Sequence, residues 1–149
     1  MLRAKMTLVA AGLALNLFGA PAQAEDIYEV KRGDAKATVG VKSTTSVTIA
    51  AKGGWHVNEE APVTMKLQPE AGISVEKPKL TRADLAQRTK DLARFDVAFT
   101  ASEPGRRTIN AEASFVMCQE TTCKPVKEKI ALAVEVAPAA AAKAPAKKK

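Results

Sequence analysis

Three observations predict an all-β domain. Apolar and polar residues alternate with a period of two through most of the chain. Glycine- and proline-containing turns separate the alternating runs, and only one segment departs from that rhythm. The runs amount to about seven or eight short strands in roughly 110 residues. That number and spacing argue for an antiparallel β-sandwich of immunoglobulin-like type, with a small barrel as the other arrangement open to such a pattern.

Taken in order, Val39 and Val41 alternate with Thr38 and Gly40, and Val47, Ile49 and Ala51 alternate with Ser46, Thr48 and Ala50. Val63, Met65 and Leu67 share one face, with Thr64 and Lys66 on the other; Ile73 and Val75 repeat the pattern, as do Phe95, Val97 and Phe99. The longest strand is expected over residues 107–117, placing Ile109, Ala111, Ala113, Phe115 and Met117 on one side. The last places Ile130, Leu132, Val134 and Val136 together, opposite Ala131, Ala133 and Glu135. Turns are expected at Gly53-Gly54, at residues 69–72 and at Glu103-Pro104-Gly105.

The exception is residues 81–92, TRADLAQRTKDL. Thr81 followed by Asp84 is a variant of the capping box, and Leu85 and Leu92 have the spacing of one helical face. The segment has no β-branched run and no aromatic residue, so a short helix or structured loop is expected there rather than a strand.

The ends of the chain read differently from the middle. Arg3 and Lys5 precede an apolar stretch over residues 6–18, and Ala22-Gln23-Ala24 has the small-x-small form of a signal-peptidase site. Residues 1–24 therefore read as a cleavable signal peptide, too short in its apolar part for the roughly 20 residues that span a bilayer. The expected location is the periplasm, with the mature protein soluble. Residues 137–149 contain only Ala, Pro and Lys, a composition with no side chain able to build a core; a disordered tail is expected. One domain over residues 25–136 remains.

The formal charge of +7 comes from the ends. Taking Arg3, Lys5, Lys143, Lys147, Lys148 and Lys149 from the 23 basic residues leaves 17 against 16 acidic ones, a net +1 for the domain. A basic face for nucleic acid is not supported. The Lys-rich tail can touch anionic surfaces, but a solubilising disordered tail is the stronger reading of its composition.

Chemistry converges on the only two cysteines, Cys118 and Cys123, in the run MCQETTCKP. They should flank one tight hairpin connection, and in an oxidising compartment they can form a disulfide. A structural staple over so short a loop is worth about 2 kcal/mol in the chain-entropy model. A short-range pair at a polar loop is equally compatible with a bond made to open and close. The spacing alone leaves staple and redox-active pair open.

Cys-x4-Cys followed by a proline-containing start to the last strand resembles the N-terminal periplasmic domain of the DsbD family of thiol:disulfide interchange proteins. Gly54-Trp55-His56-Val57-Asn58, with Pro62 and Met65 after it, is similar to that family's Gly-aromatic strand. The resemblance covers about residues 27–136. It implies an immunoglobulin-like domain whose cysteine pair lies between its last strands. It also implies electron relay: a membrane-embedded reductase reduces the pair, and the dithiol passes electrons to thioredoxin-like periplasmic proteins. Cys118 and Cys123 would be the active pair, with Cys123 the one partners reach. The family's cap over the cysteine loop carries aromatic residues. Its counterpart here, residues 81–92, has none and offers only Asp84 and Leu85 as shields.

Other side chains have competing readings. His56, the only histidine, is either a half-buried packing residue or, beside the cysteine loop, a group that favours thiolate formation, with Glu120 opposing it. A soft metal site from Cys118, Cys123 and His56 with Met117 or Met65 lacks the close spacing of a blue-copper loop, and zinc would want a fourth strong ligand. No cofactor or metal is expected. One histidine and no serine in a Gly-flanked turn give a nucleophilic triad no support. Trp55 is expected between the sheets. The alternative to the relay is a binding or adaptor sandwich with a structural disulfide.

Overall fold

The computed structural model describes residues 26–139, so the expected signal peptide and all but the first residues of the expected tail lie outside it. The described residues form eleven strands: β1 (Tyr28–Arg32), β2 (Lys36–Thr38), β3 (Lys42–Ala51), β4 (His56–Val57), β5 (Thr64–Pro69), β6 (Ile73–Val75), β7 (Lys79–Thr81), β8 (Leu85–Arg88), β9 (Leu92–Ala101), β10 (Gly105–Gln119) and β11 (Thr122–Ala137). They make two sheets. One has the order β1-β3-β9-β6, with β8 also on β9. The other has the order β2-β11-β10-β5-β7, with β4 also on β10. All pairs are antiparallel except β2 with β11. This is an immunoglobulin-like β-sandwich, as the alternation predicts.

The core lies between the sheets and is filled by the inward half of each alternation. Val47 and Ile49 of β3 and Phe95, Val97 and Phe99 of β9 meet Met65 of β5, Ile109, Phe115 and Met117 of β10 and Ile130, Leu132 and Val134 of β11, all buried. Burial of each such large side chain contributes about 1.5–3 kcal/mol, which is why period-two patterning dictates the architecture. Tyr28 of β1 closes this core on one side. Its ring meets Phe115 edge-on with centroids 5.1 Å apart, and its hydroxyl donates to Glu128 at 2.5 Å. Burial and the Glu128 carboxylate push the phenol up to about 12.

Three expectations are corrected. Val39 and Val41 do not lie on a strand: β2 ends at Thr38, and Gly40 takes a positive φ of 77° in a turn closed by Val41 N–H donating to the Thr38 carbonyl, which leaves Val41 exposed. The alternation there is genuine, but a strand cannot run through a left-handed glycine. Residues 81–92 do not hold a helix beyond one 3-10 turn, Arg82–Asp84. Asp84 does close that turn, accepting from Thr81 N–H at 2.9 Å and from its hydroxyl at 3.1 Å. The chain then becomes β8, paired with β9 at Leu85↔Phe95 and Arg88↔Ala93 through a bulge. The ladder positions of β9 beyond β6 take up this segment and override its local helical signal. Third, the last strand, β11, runs from Thr122 to Ala137, which pairs with Thr38, one residue past the expected end of the domain at residue 136.

Candidate functional site

β10 and β11 form one unbroken ladder from Gly105↔Val136 to Gln119↔Thr122, leaving a two-residue connection, Glu120-Thr121. Glu120, at the first loop position, has a φ of 49°, the only positive value at a non-glycine residue among the described ones. Two-residue hairpins need such a backbone to match strand twist. Immediately below the turn, Cys118 and Cys123 are register partners, 4.1 Å apart at Cα, and are joined as a disulfide.

The two sulfur-bearing residues differ in surroundings. Cys123 is exposed, whereas Cys118 is only 4% exposed. Cys118 nevertheless stands outside the hydrophobic core. Met117 occupies the inward position, so Cys118, the next residue, points to the outer face of the sheet. What covers it is local. On the side of β10 away from β11, β4 pairs in register, with Met117↔Val57 and Cys118↔His56. Cys123, Cys118 and His56 therefore form one cross-strand row on the outer face. Asn58, one residue beyond β4, donates from Nδ2 to Cys118 Sγ at 3.5 Å.

The covering segment is held from several directions. Asn58 N–H donates to the Val116 carbonyl at 2.9 Å and Val57 N–H to the Lys90 carbonyl at 2.8 Å. Gln119 Nε2 donates to the Gly53 carbonyl at 3.3 Å. Gly53 and Gly54 have positive φ (61° and 77°), and a Cβ on Gly54 would come within 3.2 Å of Gln119 Nε2. The glycine pair therefore lets the chain turn tightly against the hairpin end. On the inner side of the hairpin, Lys124, the register partner of Met117, places Nζ 5.0 Å from the Trp55 ring centroid.

Of the expected site residues, Cys118, Cys123 and His56 come together and Glu120 sits exposed at the loop tip. Asp84 and Leu85 are engaged elsewhere. Asp84 pairs with Lys77 and Thr81, contacts that hold its carboxyl below the usual range, the Lys77 hydrogen bond foremost. Thr81 is in register with Thr64 and through it with Ser114, which lies about 13 Å short of Cys118 along the strand. Leu85 belongs to the opposite sheet, facing Phe95. The shield over Cys118 is thus residues 56–58, not Asp84 and Leu85. Trp55 is half-buried at the core's margin, not between the sheets. Reading the sequence for charge and nucleophiles missed Asn58. Its signal was Asn58-Glu59-Glu60-Ala61: Oδ1 accepts from Glu60 N–H at 2.9 Å and Ala61 N–H at 3.1 Å, an Asx turn of recognisable composition.

Among the described residues no group of three or more His, Cys, Asp and Glu is placed to hold a metal ion, and no helix is long and apolar enough to cross a membrane. No protein-family model and no curated protein matches the chain. Among solved structures, the major subunit of aggregative adherence fimbriae type I of Escherichia coli is 11% identical, with 74% of this chain and 94% of that one covered and a TM-score of 0.39. PapD-like domain 7 of human CEP192 is 9% identical over 87% of this chain and 99% of that one, at 0.41. A chain of the complex between zinc 2-glycoprotein and prolactin inducible protein from human seminal plasma is 10% identical over 79% and 100%, at 0.47. At these values none bears on what the chain does, and the fold rests on its own strand pairing.

Proposed function

We propose that this domain is a periplasmic thiol:disulfide exchange module that relays electrons through the Cys118–Cys123 bond. Its partners are thioredoxin-like proteins on one side and a membrane-embedded reductase on the other. The observation that carries the reading is the asymmetry of the bond: Cys123 is exposed and Cys118 is covered, outside the core, by a short segment of its own. Exchange needs one sulfur that an incoming thiolate can reach in line and a second that leaves and later resolves. The resemblance of the Cys-x4-Cys hairpin and the Gly-Trp-His strand to the DsbD N-terminal family points the same way, and the expected signal peptide supplies the compartment.

A staple explains less. The ladder already holds Cys118 opposite Cys123, so the cross-link adds little that the hairpin lacks. In the relay, Cys123 thiolate attacks a partner disulfide and forms a mixed disulfide. Cys118 then attacks the Cys123 sulfur, restoring the internal bond and releasing the partner as a dithiol. Trapping tests this assignment. With an oxidised thioredoxin-like protein, Cys118→Ser should accumulate a mixed disulfide through Cys123, and Cys123→Ser should accumulate little. Equal trapping, or none with either variant, would refute it, and the non-catalytic adaptor with a structural disulfide would stand instead.

A further inference from the structure

We infer that Asn58 is the group that stabilises Cys118 as a thiolate, a built-in hydrogen-bond donor for the sulfur that leaves when the disulfide is opened; this rests on the exchange reading above. When a reductant thiolate attacks Cys123 Sγ, a bond forms between those two sulfurs and the Cys123–Cys118 bond breaks. Its electron pair departs on Cys118 Sγ. A second thiolate on the reductant then attacks its own sulfur in the mixed disulfide, freeing the Cys123 thiolate and leaving the reductant oxidised. The first step places a negative charge on a sulfur whose residue is 4% exposed. Burial disfavours that charge unless a donor meets it.

The donor is in place beforehand. Asn58 Nδ2 lies 3.5 Å from Cys118 Sγ while the disulfide is intact. The amide's orientation is determined by its other end, because Oδ1 accepts from two backbone N–H groups, those of Glu60 and Ala61, which only the oxygen can do. Its backbone is pinned as well, through Asn58 N–H to the Val116 carbonyl at 2.9 Å. Nothing has to reorganise when charge appears on the sulfur, the condition under which a hydrogen bond is most effective at a reacting atom. His56 faces Cys118 across the ladder and adds a polar neighbour, but the hydrogen bond to the sulfur is Asn58's.

Two substitutions separate the donor from the turn. Asn58→Ala removes both. Asn58→Asp keeps an oxygen for the Glu60 and Ala61 N–H groups and replaces the donor at the sulfur with a carboxylate oxygen. In a Cys123→Ser background, where Cys118 is the only thiol, the ultraviolet absorbance of the thiolate reports its formation against pH. Asn58→Ala should lower the acid dissociation constant of that thiol by about tenfold. Asn58→Asp should lower it further despite preserving the turn. In the two-cysteine protein, reduction of the disulfide by dithiothreitol should slow several-fold in both variants. This second readout carries the test if the Cys123→Ser protein does not fold. Unchanged titration and unchanged rate, in a protein whose disulfide does exchange, would overturn the role of Asn58 and leave the relay standing. A wild-type bond that native-state reductants do not open would instead refute the relay, whatever the titration shows.

Discussion

Along β10, inward and outward side chains share one backbone but are buried for different reasons. The inward row, Ile109, Ala111, Ala113, Phe115 and Met117, is covered by the opposite sheet and by its neighbours in the core. The outward row is polar and partly exposed through Asn110, Glu112 and Ser114, until it reaches Cys118, which is buried by residues 56–58 and by its own disulfide partner. The first kind of burial holds the sandwich together. The second is local, rests on one two-residue strand and a pair of turns, and can loosen without unfolding the core.

Removing one member of each row separates the two kinds of burial. Phe115→Ala deletes a side chain that fills the core and meets Tyr28 edge-on, and should cost about 3–5 kcal/mol in urea unfolding. Replacing Cys118 and Cys123 together by serine should cost no more than about 2 kcal/mol, because the closed loop is short. If the double serine variant were the less stable, the disulfide would belong to the structural frame and the two rows would not differ as described.

A smaller effect sharpens the inward side. Tyr28→Phe keeps the ring on Phe115 and removes the hydrogen bond to Glu128, at a cost of about 1 kcal/mol. The pH dependence carries a definite sign. The phenol is raised from 10.0 to about 12 in the folded protein. Its contribution is therefore complete below the unfolded value of 10.0 and is lost as pH rises toward about 12. Wild type should lose stability across that window relative to Tyr28→Phe, measured by unfolding at a series of alkaline pH values. Parallel profiles would contradict it.

The two kinds of burial also differ in the trace they leave in the sequence. Inward rows leave a period-two trace, so β3, β5, β9, β10 and β11 were legible, and with them the two-sheet architecture. The hairpin was legible too, since two cysteines at either end of a polar stretch between strands have few other places to be. Strands that lean on a neighbour left no periodic trace. β4 is two residues long and was expected only through the resemblance at residues 54–58, and β8 has a burial pattern with nothing fully buried; each exists because β10 or β9 offers it a ladder. Gly40 shows the converse, an alternation that backbone conformation overrules. At the site, Cys118, Cys123 and His56 stood out by residue type. Asn58 did not, since an asparagine before two glutamates reads as a turn until β4 places it against the sulfur.

Equilibrium titration of the full chain against glutathione decides whether the Cys118–Cys123 bond is a working bond. A working bond gives a folded protein at every point of the titration and a midpoint within the span of known exchange proteins, about −120 to −270 mV. A midpoint below about −300 mV, reached only as the sandwich unfolds, would contradict it and make the bond a staple.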